Sequence, residues 1–162
     1  MQYVVAHRSD VGRVRQNNED NFLASIDLGL FVVADGMGGH HAGEVASQMT
    51  CDLVLQHIEE NKTVLSNYAT SQSPENLQAI ARLLDNAING ASKAITKLSA
   101  KNKGKGSMSC TCTALLILDG GKGVMGHVGD SRLYMCRTDR MHQLTEDHTF
   151  VGDLGKRGVI TE

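Results

Sequence analysis

The sequence predicts an α+β fold, and three patterns carry that prediction. Short apolar runs bounded by turn residues open the chain, apolar residues at helical spacing fill its middle, and Thr/apolar alternation with Gly-rich turns follows. Strands, then helices, then a meander of strands imply helices packed on antiparallel sheets. At 162 residues the chain is long enough for one domain with a sizeable core. Aromatic content of 4% and the absence of Trp make that core aliphatic.

Taken in order, residues 3–7 and 22–26 read as short strands. Leu30, Phe31, Val32, Val33 and Ala34 form an apolar run that stops at Asp35-Gly36, a strand entering a turn. A helix is expected from Ala42, with Val45, Ala46, Met49 and Leu53 on one face. The second helix is the clearest element. Ser73 suits its N-cap, Pro74 the first helical position and Glu75 the positive end of the helix dipole. Leu77, Ile80, Ala81, Leu84, Ile88, Ala91, Ile95 and Leu98 then recur at helical spacing. Gly90 lies inside that run and costs up to ~1 kcal/mol relative to Ala. Residues 101–105 form a polar loop. Residues 110–118, 124–128 and 133–136 read as strands, separated by Asp119-Gly120-Gly121 and by Gly129-Asp130-Ser131-Arg132.

Bulk properties exclude several functions. A net charge of −2 lacks the basic excess that a nucleic-acid or membrane-surface binder needs, while leaving room for a locally electropositive phosphate site. No run of ~18 apolar residues is present to span a bilayer. Residues 1–10 lack the charged, apolar and small-residue blocks of a signal peptide. Four scattered cysteines do not make a disulfide framework. The expectation is a reduced, cytoplasmic protein.

Four acidic clusters could carry chemistry. In Val33-Ala34-Asp35-Gly36-Met37-Gly38-Gly39-His40, a carboxylate at a strand end is followed by glycines that let carbonyls approach a small ion, which suits a hard divalent cation. Asp-Gly alone also fits an acidic turn before a flexible loop. A dinucleotide loop fails, because the required third glycine is His41. Upstream, Arg15-Gln16-Asn17-Asn18-Glu19-Asp20-Asn21 fits a solvated surface, or acids that help hold a metal while Arg15 meets phosphate through its planar fork. Asp130 in the Gly-Asp-Ser-Arg segment is either a tight turn or a further acid at a strand end. Thr145-Glu146-Asp147-His148-Thr149 fits an N-cap region for a short helix. Cys110 and Cys112 read as buried small hydrophobes rather than a zinc site, which would lack matched partners.

In order and spacing, residues 15–21, 33–47, 126–132 and 144–151 resemble the metal-dependent type 2C protein phosphatases, particularly bacterial ones. The run from Asp35 to Glu44 is the most specific match. The resemblance implies that residues 1–162 are the N-terminal part of one such catalytic domain. Its fold is a four-layer α-β-β-α sandwich, two antiparallel sheets flanked by helix pairs. It is partial here, because later strands and two aspartates of the family, in Asp-Gly and Asp-Asn motifs, lie beyond residue 162. A second metal position is therefore expected to be incomplete, and open sheet edges to favour self-association.

The implied activity is hydrolysis of phosphoserine and phosphothreonine in proteins by a water activated at a two-manganese or two-magnesium centre. The acid matching Asp35 bridges the metals and the carbonyl matching Gly36 binds one. Glu19 and Asp20 act through metal waters, Asp130 serves a third and weaker metal position, and Arg15 holds the phosphate. Substrates are phosphoproteins, targets of a serine/threonine kinase. The alternative is a catalytically incomplete relative that binds phosphoprotein or a partner chain. Met37 stands where some relatives have a histidine general acid, and His40 and His41 read as ordinary histidines. Ser109-Cys110-Thr111 replaces a Gly/Thr-rich stretch, which implies a packing change. Gly152 and Gly155 weaken the helix expected after Phe150.

Overall fold

The computed structural model describes residues 4–39, 41–101 and 107–159. Its elements are β1 (Asp20–Ser25), β2 (Leu30–Gly38), α1 (Ala42–Glu60), α2 (Thr63–Thr70), α3 (Pro74–Lys101), β3 (Met108–Cys110), β4 (Cys112–Ile117), β5 (Gly123–Val128), β6 (Tyr134–Arg137), β7 (Arg140–Gln143) and α4 (Phe150–Lys156). The class is α+β with two antiparallel sheets, as expected. The larger sheet has the order β1-β2-β4-β5, with β3 also paired to β2, and β6-β7 form a separate hairpin.

Alternation along β2 and β4 builds the core. Leu30, Val32 and Ala34 on β2 and Cys112, Ala114 and Leu116 on β4 are buried. Because side chains alternate across a strand, these residues share one face of the sheet, and Val33 and Asp35 lie on the other. Val54 and Ile58 of α1 and Ile80, Leu84 and Ala87 of α3 join the same apolar cluster. The buried stripe of α1 also includes Gly43, Ala46, Ser47, Thr50 and Cys51. Small residues there let the helix lie close to the strands. Val45, expected on the inner face, is 44% exposed, because the stripe runs through 43, 46, 50 and 54 instead.

Several boundaries differ from the sequence pattern. Val4, Val5, Ala6 and His7 form no strand, and the His7 ring lies 4.0 Å from that of Phe22 on β1. Tyr3, His40 and residues 102–106 lie outside the described residues. The run expected to turn at Asp35 continues in β2 to Gly38, because β3 supplies partners for Gly36, Met37 and Gly38. The single strand expected over 110–118 is two, β3 and β4, broken at Thr111. Helix α2 and strand β7 were not marked by any pattern, both being short and weakly periodic. The short helix near the end is capped by Thr149, within the 145–149 segment expected to hold its N-cap: Gly152 N–H donates to Thr149 Oγ1 at 3.0 Å. Thr145 is buried, and its Oγ1 accepts from Leu133 N–H at 3.0 Å.

The α3 start is as expected, with Asn76 N–H donating to Ser73 Oγ at 3.2 Å. Gly90 lies in the helix interior, and a Cβ added there would meet nothing within 4 Å. Gly90→Ala is therefore expected to stabilise the fold by ~1 kcal/mol, since only helix propensity changes. A urea midpoint that does not rise would refute this.

Candidate active site

β2 organises the site. Asp35 lies directly opposite Asp20 of β1 in the ladder. Directly paired residues point to the same face, so both carboxylates rise on the side away from the helices. Glu19, one residue earlier, goes the other way: its Oε1 lies where a Cβ on Gly43, in the first turn of α1, would stand. The carboxylate there meets the positive end of the α1 dipole. The adjacent acids Glu19 and Asp20 thus serve different places.

Two glycines make the corner possible. A Cβ on Gly36 would fall 1.9 Å from the Gly43 carbonyl oxygen, and one on Gly43 2.9 Å from the Gly36 carbonyl carbon. Gly36 N–H donates to the Glu19 carbonyl at 3.1 Å. β2, the α1 start and the Glu19 segment therefore touch backbone to backbone. His41, before α1, has φ 64, a left-handed conformation uncommon outside glycine.

A cleft of about 870 Å³ opens over this corner. Arg15, Glu19, Asp35, Gly36 and Asp130, all singled out by sequence, line it. Asp20 does not line it but abuts Asp35. The Arg15 side chain is exposed at the edge of the cleft, its Nη1 3.9 Å from a Glu19 carboxylate oxygen. Burial first, and then the charge of Asp20, push the Asp35 carboxyl above its ordinary value; Arg15 opposes this and Asp130 adds to it. Crowded carboxylates of this kind are what a bound cation relieves.

The donors are oxygens, which suits Mn²⁺ or Mg²⁺ rather than a soft metal. Among the described residues no three His, Cys, Asp or Glu side chains form a group that could hold a metal by themselves. What Asp35 and the Gly-rich corner beside it do supply is oxygen donors of the kind that a hard cation takes. The cysteines take no part: all four are free, and burial pushes the Cys112 thiol up to about 12 and the Cys110 thiol to about 11. Cys110, expected to be buried in the core, is half-buried and lines the cleft.

Ser107, Ser109 and Thr111 also line the cleft, though no sequence pattern singled them out as site residues. Thr111 touches Asp35 twice: its N–H donates to the Asp35 carbonyl at 2.8 Å, and its Oγ1 accepts from Asp35 N–H at 2.9 Å. The only available signal was its place in the Thr/apolar alternation, which puts it on the Asp35 side of the sheet.

An α+β fold carrying an acidic, arginine-edged cleft beside its sheet has the donors to meet a phosphate and a hard cation. The chain belongs to the protein phosphatase 2C family, whose sequence profile matches residues 11–152. It is 34% identical over 158 residues to the serine/threonine phosphatase stp of Listeria innocua, covering 96% of this chain and 58% of that protein. The crystal structure of the Mycobacterium tuberculosis serine/threonine phosphatase PstP/Ppp superposes with a TM-score of 0.71 at 36% identity, covering 95% of this chain and 58% of that one. A structure of the PstP catalytic domain in complex with two manganese ions has a TM-score of 0.69 at 36% identity, covering 95% and 60%. The chain thus spans about three-fifths of the Listeria protein and of the two crystallised PstP chains, and 27% of the full-length Mycobacterium tuberculosis PstP.

Proposed function

We propose that this chain takes part in hydrolysing phosphoserine and phosphothreonine in proteins at a Mn²⁺ or Mg²⁺ centre, as part of one type 2C catalytic domain over residues 1–162. The observation that carries this reading is the Asp35–Asp20 pair, with Arg15 on the rim of the same cleft. Asp35 would hold the cation together with the Gly36 carbonyl, and Asp130, which lines the same cleft, would serve a further, weaker metal position. Glu19 and Asp20 would act on such a cation indirectly, through water. When bound, such a cation lowers the pKa of water and neutralises charge on phosphoryl oxygens. Arg15 would grip the phosphate with two parallel hydrogen bonds and offset the negative charge on its equatorial oxygens.

The substrates are phosphoproteins made by a serine/threonine kinase, and the setting is the cytoplasm; among the described residues no helix is long and apolar enough to cross a membrane. No nucleic acid or membrane is engaged, and exposed sheet edges allow self-association. Turnover of an aryl phosphate and a phosphothreonine peptide is expected with Mn²⁺ and lost with chelator. Arg15→Ala is expected to raise KM by about tenfold or more, the weight of a charged hydrogen bond. Turnover that survives chelation, or an unchanged KM, would sink the assignment.

The lack of a closed ligand cluster among the described residues supports a second reading, a binding-only relative. Phosphopeptide binding without turnover, unaffected by chelator, would establish it.

A further inference from the structure

Thr111 marks the break between β3 and β4. The register on either side, Gly36 with Cys110 and Val33 with Thr113, places Thr111 directly opposite Asp35. A hydrogen-bonded antiparallel pair exchanges two main-chain bonds. Here only one is made in that form, from Thr111 N–H to the Asp35 carbonyl at 2.8 Å. The other is diverted: Asp35 N–H donates to the Thr111 hydroxyl at 2.9 Å.

The same hydroxyl lies 2.8 Å from Ser131 Oγ. Ser131 follows Asp130 in the chain, so one oxygen atom joins the amide of one acid to the neighbour of the other. A hydroxyl can fill both positions because it donates one hydrogen bond and accepts two. The Thr111 methyl is held as well. Gly129 has φ +109, and a Cβ there would lie 2.5 Å from Thr111 Cγ2, so the turn carrying Asp130 rests on that methyl. Thr113 Oγ1 adds a parallel tie by donating to the Ser131 carbonyl at 3.2 Å.

We propose that Thr111 is a positioning residue: its hydroxyl is a strut that holds the Asp35 strand and the Asp130 turn at one separation. The consequence for a divalent cation, whose oxygen ligands this spacing would set, rests on the metal reading of Asp35 above. Valine has almost the same shape as threonine, so packing alone would be served equally by either. Only the strut needs the hydroxyl.

The discriminating pair is therefore Thr111→Val, which keeps shape, and Thr111→Ser, which keeps the hydroxyl. Amide hydrogen exchange of the full chain in chelator is read at Asp35 and across residues 129–132. Thr111→Val is expected to speed exchange at both places by about tenfold, and Thr111→Ser to leave it near wild type. In Mn²⁺ titrations, Thr111→Val is expected to weaken affinity by about 10- to 100-fold, as for other groups that orient metal ligands, with Thr111→Ser rescuing it. Equal behaviour of the two variants, faster exchange at Asp35 without the turn, or uniformly faster exchange over the whole core would each overturn the strut. A wild-type chain that shows the exchange pattern but takes up no Mn²⁺ would uphold the strut and overturn the metal reading of Asp35.

Discussion

Gly36→Ala is expected to cost about 3 kcal/mol or more and to open the corner between β2 and α1. The added Cβ would sit 1.9 Å from the Gly43 carbonyl oxygen, 2.5 Å from the Gly43 carbonyl carbon and 2.9 Å from the Glu19 carbonyl oxygen. All three are backbone atoms, so no rotamer change relieves the overlap. Overpacking a close-packed interior costs typically 1–3 kcal/mol when side chains can adjust, and more when they cannot. Relief must come from moving α1 off the sheet, which exposes the Ala46, Val54 and Ile58 stripe, or from breaking the Gly36 to Glu19 hydrogen bond. Urea unfolding, with Gly90→Ala as the glycine substitution that has room, measures this directly. A Gly36→Ala protein as stable as wild type would mean that the two segments are not in backbone contact.

Asp35→Asn is expected to separate function from stability. Mn²⁺-dependent turnover is expected to fall by about 100-fold or more, because a neutral amide is a poor ligand for a hard cation and no longer offsets its charge. The same substitution is expected to raise stability in chelator at neutral pH. Burial and the facing Asp20 carboxylate raise the Asp35 pKa above its model-peptide value of 3.8. The folded chain then holds this proton more tightly than the unfolded chain does. Stability is consequently lost as pH climbs from the unfolded value through the higher folded one. Below both values the carboxyl is neutral in either state, and the penalty is absent.

Removing the charge removes that loss. Asp35 is substantially solvent-exposed, so screening limits the gain to about 0.5 kcal/mol. The stability difference between variant and wild type is expected to grow from near zero in acid to its full size at neutral pH. Saturating Mn²⁺ is expected to reverse the order, because binding to the folded state stabilises only the protein that binds it. An Asp35→Asn protein that is less stable than wild type in chelator at pH 7, or that retains Mn²⁺ affinity, would contradict the crowded-carboxylate account.

Much of the architecture was legible in the residues alone, for identifiable reasons. The α3 helix announces itself because Ser73, Pro74 and Glu75 supply its start chemistry and Ile80, Leu84, Ala87, Ala91 and Ile95 keep its buried stripe. The alternation of β4 survives in the structure as a buried face of Cys112, Ala114 and Leu116. Arg15, Glu19, Asp35, Gly36 and Asp130 stand out because acids, arginine and glycines cluster at fixed spacings, and they do line one cleft.

Other features were silent because they depend on partners distant in sequence. β2 runs past the Asp-Gly pair only because β3 arrives more than seventy residues later to pair with Gly36 and Gly38. Val45 lies outside the buried stripe because the close approach of α1 to β2 selects the small side chains at 43, 46, 47 and 50 for the inner face. Ser109-Cys110-Thr111 reads in sequence as a change of packing, yet in the fold Thr111 carries both main-chain contacts to Asp35 and reaches the turn of Asp130.

The sequence by itself thus determined which residues have the chemistry for a hard cation and a phosphate, because side-chain type and local spacing are properties of the chain. The tertiary structure alone decided which faces they take. Strand pairing set Asp20 beside Asp35, the start of α1 at Gly43 received the Glu19 carboxylate, and backbone contact at Gly36 and Gly43 fixed the corner beneath them. Those outcomes arise from contacts between segments far apart in the chain, and no local pattern encodes them.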